Sequence, residues 1–221
     1  MKRNTFLQNG IMSLLLMFGS SAVITVHAES LVKGNAENGA AKAATCVACH
    51  GINGNSTNPE WPKIAGQSEV YLYQQMLQFK SGERKDPVMA AQVVNLEDQD
   101  MRDIAAYFSQ QTQSLGAASS NESGNDLSEK AKMGERVYRA GNKEWKVTAC
   151  IGCHGPRGLG NDAAAYPRVS GQHAAYTIKQ LKAFKNQTRS GTTKAEMMAD
   201  VATRLSDEEI EAVADYLQGL H

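Results

Sequence analysis

Apolar residues recur with helical spacing near the end of each half of the chain. In the first half, positions i, i+3, i+4 and i+7 are occupied by Met101, Ile104, Ala105 and Phe108. The same spacing recurs 109 residues later at Ile210, Val213, Ala214 and Leu217. This spacing predicts two amphipathic helices. Ser206 and Glu209 have the spacing of a capping box, so the second helix is predicted to begin just after Ser206.

Other segments are also predicted to be helical. A second amphipathic segment runs from about Glu69 to Phe79 and has a counterpart from about Ala174 to Phe184. Ala-rich or charged stretches at 36–45 and 128–140 precede the two cysteine pairs and predict a third helix in each half. Alternation of apolar and polar residues, the signature of strands, is absent. The predicted fold is therefore all-α.

The chain is an internal duplication. CVACH at 46–50 recurs as CIGCH at 150–154, and WPKIAGQ at 61–67 recurs as YPRVSGQ at 166–172. Matched positions continue the repeat at Tyr71/Tyr176, Gln75/Gln180, Phe79/Phe184, Lys80/Lys185, Met89/Met198, Leu96/Leu205 and Tyr107/Tyr216. Because order and chemistry are kept, the chain is predicted to hold two copies of one domain. The second copy carries an insertion with Trp145 before its cysteine pair.

Segments outside the repeat complete the predicted organisation. Lys2 and Arg3 precede an apolar stretch of about eight residues, which is typical of a cleaved signal peptide and far shorter than the ~20 residues of a membrane span. A later stretch is rich in Ser, Gly, Asn and Ala and predicts a linker. The signal predicts that the chain is exported, and an uncleaved anchor stays open as an alternative. The predicted segments are a signal peptide 1–28, a first domain 29–112, a linker 113–127 and a second domain 128–221.

Composition excludes several classes of function. The 23 basic and 23 acidic residues give a formal charge of zero, so no positive field is available to bind nucleic acid. Hydrophobic residues at 42% and charged residues at 21% are ordinary for a globular protein. Proline and glycine are too few for a fibrous or disordered chain.

All four cysteines belong to Cys-x-x-Cys-His motifs. The motif residues are Cys46, Cys49 and His50 in the first copy, and Cys150, Cys153 and His154 in the second. In an exported chain this motif is typical of covalent haem c, in which two thiols bond to the vinyl groups and the histidine binds the iron. Two covalently bound haem c groups are therefore predicted. A four-thiolate zinc site leaves both histidines unexplained, a thioredoxin-like dithiol needs a βαβ pattern, and disulfides explain neither the histidines nor the repeat.

The second axial ligand of each iron is predicted from the repeat. Met89 stands seven residues before Leu96, and Met198 stands seven residues before Leu205. They are the one pair of methionines at equivalent positions after the haem motifs. Met197 adjoins Met198 and stays open as an alternative ligand. His/Met ligation closes the iron to substrates and suits electron transfer.

Residues near the motifs also have predicted roles. A haem-ligating imidazole is usually oriented by a hydrogen bond to a carbonyl, and the segments at Pro62 and Pro167 are the predicted acceptors. Lys63 and Arg168 follow these prolines and either reach haem propionates or are solvated charges. His173 falls in the first turn of a helix, where it is predicted to be exposed and to bind no metal.

With these residues in place, the chain resembles the dihaem cytochrome c4 family. The resemblance covers essentially all of the chain after the signal peptide. It rests on the ordered set CVACHG, WPKIAGQ, LEDQDMRDIAAYFS, VTACIGCHGPRGLGN, YPRVSGQHAAY and RLSDEEIEAVADYLQGL. The family implies two tandem class I cytochrome c-like domains and a periplasmic electron carrier that is not an enzyme. It implies the ligand sets Cys46, Cys49, His50 and Met89 for the first haem, and Cys150, Cys153, His154 and Met198 for the second.

The resemblance also implies partners. These are redox proteins: a terminal oxidase, a cytochrome bc complex or a dehydrogenase, with peripheral association to the membrane. Two other functions stay open. A similar dihaem chain serves as the cytochrome subunit of a flavoprotein sulfide dehydrogenase. A peroxidase or a thiosulfate-oxidising protein would need an open or differently ligated iron.

Overall fold

Helices provide the regular structure of both halves of the chain. The computed structural model describes residues 33–116 and 129–221. The first half contains α1 (Ala36–Lys42), α2 (Ala44–His50), α3 (Glu69–Ser81), α4 (Pro87–Val93) and α5 (Asp98–Ser109). The second half contains α6 (Glu129–Ala140), α7 (Ile151–His154), α8 (Ala174–Lys185), α9 (Thr193–Ala202) and α10 (Asp207–Gly219). Within the described residues, extended pairing is limited to two isolated bridges, so the all-α prediction is confirmed.

The predicted helices are confirmed. The four segments with helical spacing form α3, α5, α8 and α10, and the stretches before the cysteines form α1 and α6. The helix predicted over 36–45 ends at Lys42, and the chain begins a second helix after Ala43. Ser206 accepts a hydrogen bond from the amide of Glu209 and Glu209 accepts one from the amide of Ser206, which completes the predicted capping box.

Helices α4 and α9 are not predicted by the periodicity, because they have only seven and ten residues. Asp86 caps α4 by accepting hydrogen bonds at 3.0 and 3.1 Å from two amides of the first turn, and Pro87 follows it. Thr192 caps α9 through one amide at 3.2 Å. These two helices carry Met89 and Met198, the predicted iron ligands.

Each half has its own core where its first helix crosses its last. In the first half α1 packs against α5, and the buried residues are Ala43, Leu72, Ile104, Ala105 and Phe108. In the second half α6 packs against α10, and the buried residues are Val137, Tyr138, Val147, Leu205, Ile210, Val213, Leu217 and Leu220. The Nζ of Lys80 donates to the carbonyl of Leu96, and that of Lys185 donates to the carbonyl of Leu205. The repeat therefore conserves contacts as well as helices.

The predicted signal peptide at 1–28 and most of the predicted linker lie outside the described residues. At the start of that linker, Gln113 is buried and its Nε2 donates to the carbonyl of Ser170 at 3.1 Å. The chain at this point packs against the second half, and both halves belong to one compact unit. The domain boundaries stay predictions. In the ranges that are described, no helix has the length and apolar character needed to cross a membrane.

Candidate functional site

The two Cys-x-x-Cys-His motifs lie at two short helices that border one cavity. Helix α2 ends at His50 and α7 ends at His154. The next residues, Gly51 and Gly155, have φ angles of 82° and 78°, which glycine adopts without strain. All four cysteines are partly buried and line the cavity. The backbone thus turns directly after each histidine, and the histidine side chain borders the cavity.

The two motif histidines have matching environments. His50 and His154 are 8% and 7% exposed, and each Nδ1 lies 2.9 Å from a proline carbonyl, that of Pro62 or Pro167. Burial lowers the pKa of both imidazoles, although the carbonyl opposes this effect. The neutral ring therefore donates from Nδ1 to the carbonyl and keeps the lone pair of Nε2, the form that binds iron. The predicted contact with the proline segments is confirmed.

The predicted methionine ligands border the same cavity. Met89 on α4 and Met198 on α9 are both half-buried and line it. Met197 lines it too, but this residue is 46% exposed. Met101 is 1% exposed and belongs to the apolar core, as its helical position predicts. Met76 both contacts the core of the first half and borders the cavity.

The cavity has a volume of about 930 Å³ and extends through both halves with a predominantly apolar lining. Burial raises the pKa of the Cys46 thiol and raises that of Cys150 to about 11, so these thiols are protonated at neutral pH. Zinc sites need thiolates, and in the described ranges no group of three or more His, Cys, Asp or Glu is placed to hold a metal ion. An apolar group fixed by two thiols beside a neutral imidazole fits each end of this cavity.

Known proteins are similar to this chain in sequence and in fold. The family model for cytochrome c matches residues 36–112 and 131–221. Cytochrome c4 of Stutzerimonas stutzeri is 43% identical over 220 residues, which cover 96% of this chain and 98% of that protein. The crystal structure of reduced recombinant cytochrome c4 from Pseudomonas stutzeri has a TM-score of 0.78 and 45% identity, covering 85% of this chain and 100% of that one. The chain belongs to the cytochrome c4 family.

Membership of the cytochrome c4 family makes the chain a dihaem electron-transfer cytochrome with two covalently bound haem c groups, one for each motif. The predicted pair of tandem cytochrome c domains is confirmed with it. A further relative is the thiosulfate dehydrogenase electron acceptor of Thiomonas intermedia, which is 36% identical over 80% of this chain and 78% of that protein.

In this member of the cytochrome c4 family, two glutamines join the halves reciprocally. Gln67 accepts from the amide of Arg168 and donates to its carbonyl, both at 2.8 Å. Gln172 makes the same pair of contacts with Lys63, at 2.9 and 2.8 Å. Both glutamines are buried and occupy equivalent repeat positions. Each half therefore binds the backbone of the other half at the residue that directly follows Pro62 or Pro167.

The structure defines the surroundings of three residues, Lys63, Arg168 and His173, for which the sequence predicts either alternative roles or simple exposure. Lys63 is 7% exposed and donates to the carbonyl of Ser114 at 3.1 Å, and burial lowers its pKa, so the solvated-charge alternative is wrong for it. Arg168 is half-buried and lines the cavity. The prediction of an exposed His173 is also wrong: it is half-buried, and its Nε2 lies 2.8 Å from the carbonyl of Ser56 in the other half. The halves pack here, which a single copy of the repeat cannot indicate.

The sequence predictions give no role to Arg84 and Arg189, yet both border the cavity and contact both halves. A signal for them was present. The offset of 105 residues that relates Phe79 to Phe184 also relates Arg84 to Arg189. The pair lies four residues beyond Lys80 and Lys185, the last matched positions of that segment.

Proposed function

We propose that the chain is a periplasmic carrier that accepts single electrons from one respiratory component and passes them to another. The observation that supports this most is the pair of buried, neutral imidazoles at equivalent positions of one continuous cavity. Two one-electron centres within one compact unit suit transfer between partners. A substrate-binding enzyme would need an accessible iron.

The proposed site residues are those expected from the sequence. The thioether bonds are assigned to Cys46 and Cys49 for the first haem, and to Cys150 and Cys153 for the second. The axial ligands are assigned to His50 with Met89, and to His154 with Met198. We prefer Met198 to Met197 because Met198 is half-buried, whereas Met197 is 46% exposed.

The residues of the chain support this function in three ways. The carbonyls of Pro62 and Pro167 fix the tautomer and the direction of each histidine ring. The apolar lining limits the access of water to the iron, and a methionine ligand raises the reduction potential. When bound, each haem supplies a one-electron iron couple. The contacts of Gln67 and Gln172 hold the two halves in one relative position, so transfer within the molecule needs no domain movement.

Spectroscopy of methionine variants tests the ligand assignment. The ferric protein is expected to show the near-infrared charge-transfer band of Met-ligated haem, and the ferrous protein should bind carbon monoxide poorly at neutral pH. Met89→Ala and Met198→Ala should each remove about half of the band, because each removes one of two ligands. Met197→Ala is the matched control and should keep the whole band. Loss of half the band in Met197→Ala instead would reassign the second ligand.

Kinetics with membranes test the direction of transfer. If a terminal oxidase is the acceptor, ferrous protein added to membranes should be oxidised in a cyanide-sensitive reaction, and a quinol-driven bc complex should reduce the ferric form. Absence of both reactions would contradict the respiratory assignment.

A second candidate function is acceptance of electrons from a thiosulfate dehydrogenase. The relative from Thiomonas intermedia favours it, and a solved thiosulfate dehydrogenase from Marichromatium purpuratum matches 82% of this chain but only 39% of its own, at 29% identity and a TM-score of 0.71. Rapid reduction by purified thiosulfate dehydrogenase with thiosulfate, and none with thiosulfate alone, would support it. The flavoprotein sulfide dehydrogenase alternative would instead require a flavoprotein that co-purifies in equal amount.

Cell fractionation tests the location. The mature protein should begin at Glu29 and appear in the periplasmic fraction, or on membranes from which salt releases it. Recovery of the full-length chain with an intact N-terminus would contradict cleavage after Ala28.

A further inference from the structure

The insertion of the second copy forms a turn before Cys150, hereafter the tryptophan turn (residues 141–148). The turn has no counterpart before Cys46, because the second copy has nine more residues at this point. Asn142 and Val147 close the turn by pairing their backbones in both directions, at 3.1 and 2.8 Å. The two halves therefore differ in the segment that leads into the haem motif.

Hydrogen bonds fix the tryptophan turn to the body of the second half. The Oδ1 of Asn142 accepts from the amide of Trp145 at 3.3 Å, and its Nδ2 donates to Glu209 on α10 at 2.7 Å. Arg204 donates to the carbonyl of Lys146 at 3.0 Å. A segment that is already fixed loses little further conformational freedom when a partner binds it.

Trp145 lies exposed on this fixed turn. It is 62% exposed, although the tryptophan side chain is one of the largest apolar groups in proteins. The core of the second half takes Val147 from the turn, and this valine is only 5% exposed. The turn therefore does not need Trp145 for its own packing. Tryptophan and arginine contribute much of the binding energy at protein interfaces, so Trp145 suits the anchor of an interface.

A second cavity, of about 510 Å³, lies beside the tryptophan turn. It shares no lining residue with the cavity that contains the two haem motifs. Its lining combines apolar side chains, those of Met133, Val137 and Trp145, with two cations, Arg136 and Lys143. The site therefore offers both apolar contact and positive charge to whatever binds there.

The cations around the tryptophan turn outnumber the carboxylates. Within the ranges that the structure describes, Arg136, Lys143 and Lys146 are exposed and form no ion pair. Glu144 is the acidic residue of the turn, and the nearby Glu209 is buried with both oxygens bonded to neutral donors. Unpaired positive charge at a surface attracts a negatively charged partner and raises its association rate.

The shape of this surface favours a protein partner over a lipid bilayer. Tryptophan and lysine also suit the surface of an anionic membrane. A planar bilayer does not fill a concave site, however, whereas a protruding side chain of a protein does. Anionic headgroups would also repel Glu144, which adjoins Trp145.

The tryptophan turn leads directly into the second haem motif. The three residues after Val147 all line the cavity of the haem motifs: Thr148, Ala149 and Cys150. Because the first copy lacks the inserted residues, a partner bound at Trp145 would lie next to the second motif only.

We propose that Trp145, Arg136 and Lys143 dock an acidic segment of a redox partner beside the second haem. The segment places an apolar side chain against Trp145 and its carboxylates against the two cations. One electron then passes from the reduced partner to the ferric iron, or from the ferrous iron to the oxidised partner, and no bond forms or breaks. The docking surface is independent of the proposed carrier function, and only the redox nature of the partner rests on that function.

Nuclear magnetic resonance of the ferrous holoprotein tests the docking surface. The probe is a short synthetic peptide of glutamates around a central leucine. It should shift the indole resonance of Trp145 until saturation and leave that of Trp61, the other tryptophan, unchanged. The shift should weaken at high salt, and a peptide with lysines in place of the glutamates should produce none. An unshifted Trp145 resonance overturns the proposal. If vesicles of anionic phospholipid broaden that resonance and the peptide does not shift it, the surface binds a membrane instead.

Charge variants test the role of the cations. Arg136→Glu and Lys143→Glu should each weaken peptide binding at least about tenfold, because each replaces an attraction by a repulsion. The matched control is Lys33→Glu, which changes an exposed lysine of the first half that lines neither cavity. It should bind the peptide as the unaltered protein does. An equal loss in Lys33→Glu would attribute binding to net charge and overturn the proposal.

Electron transfer with membranes separates this proposal from the carrier function. Trp145→Ala should lower one of two rates at least about tenfold, either oxidation of the ferrous protein or reduction of the ferric protein. Leu115→Ala, at an exposed apolar residue that lines neither cavity, should change neither rate. Two unchanged rates in Trp145→Ala would overturn the docking proposal and keep the carrier function. No exchange by the unaltered protein would instead overturn the carrier function, and with it the redox nature of the partner.

Discussion

The backbone of Gly39 lies directly against the carbonyl of Asp103. A Cβ atom at Gly39 would stand 2.0 Å from that oxygen, well inside van der Waals contact. The second half repeats the relationship, since a Cβ at Gly134 would stand 2.2 Å from the carbonyl oxygen of Ala212. In each half the first and last helices therefore cross at a point where only glycine fits.

Alanine at either crossing should destabilise its own half. Gly39→Ala and Gly134→Ala each force α1 or α6 away from the last helix, and overpacking of this kind costs about 3 kcal/mol. Urea unfolding followed by haem absorbance measures the loss. Gly152→Ala is the control, because a Cβ there meets nothing within 4 Å. Equal stability of Gly134→Ala and Gly152→Ala would show that the crossing adjusts without cost.

Removal of one glutamine contact should uncouple the halves. Gln172→Leu leaves the buried amide and carbonyl of Lys63 without their partner, at a cost of about 3 kcal/mol. Differential scanning calorimetry should show one transition for the unaltered protein and two for the variant. Gln110→Leu changes an exposed glutamine and should keep one transition. A single, unshifted transition in Gln172→Leu would mean that the reciprocal contacts contribute little.

Tyr138 should contribute stability to the haem motif of the second half. It is fully buried, and its hydroxyl donates at 2.5 Å to the carbonyl of Gly155, the residue after His154. Tyr138→Phe leaves that carbonyl unpaired and should cost about 1 to 2 kcal/mol in urea unfolding. Tyr216→Phe, which removes a half-buried hydroxyl beside it, should cost less than half as much. Equal losses would contradict the role of the Gly155 contact.

Asp103 should make the first half sensitive to acid. Its carboxylate is 1% exposed and accepts hydrogen bonds from the amide of Asn35 and from Lys42, both at 2.8 Å. Burial raises the pKa of Asp103, but these hydrogen bonds outweigh it and hold the pKa below its usual value. The stabilisation that the charged Asp103 contributes is therefore complete above about pH 4. It is lost as the pH falls through the lowered pKa of Asp103 in the folded protein.

The measurement is the free energy of unfolding from neutral pH to about pH 2. It should fall below about pH 4, and Asp103→Asn should be less stable at neutral pH and lose part of this dependence. A variant whose stability runs parallel to that of the unaltered protein at all pH values would contradict the assignment.

The sequence predicts the parts of the structure that repeat or follow a helical period. The spacing at Ile104 and Ile210 predicts helices, and the repeat predicts the carbonyl contacts of His50 and His154, because each depends on local order. The cross-half contacts are different. His173 and Arg84 find their partners about 100 residues away, and spacing within one copy contains no information about how two copies meet. Short capped helices such as α4 are not predicted from the apolar spacing, because seven residues are too few to show a helical period.

Gln67 binds the backbone of Arg168 and Gln172 binds that of Lys63, so each copy of the repeat needs the other. In each copy one glutamine side chain forms hydrogen bonds with the backbone of the other copy, and each copy needs the glutamine of the other for the same contacts. Neither copy is now a complete module, because a copy on its own would expose groups that only its twin can satisfy. Recombination that swaps one copy for an unrelated single-haem domain would have to replace both glutamine partners at once, so the two copies are expected to evolve as a pair.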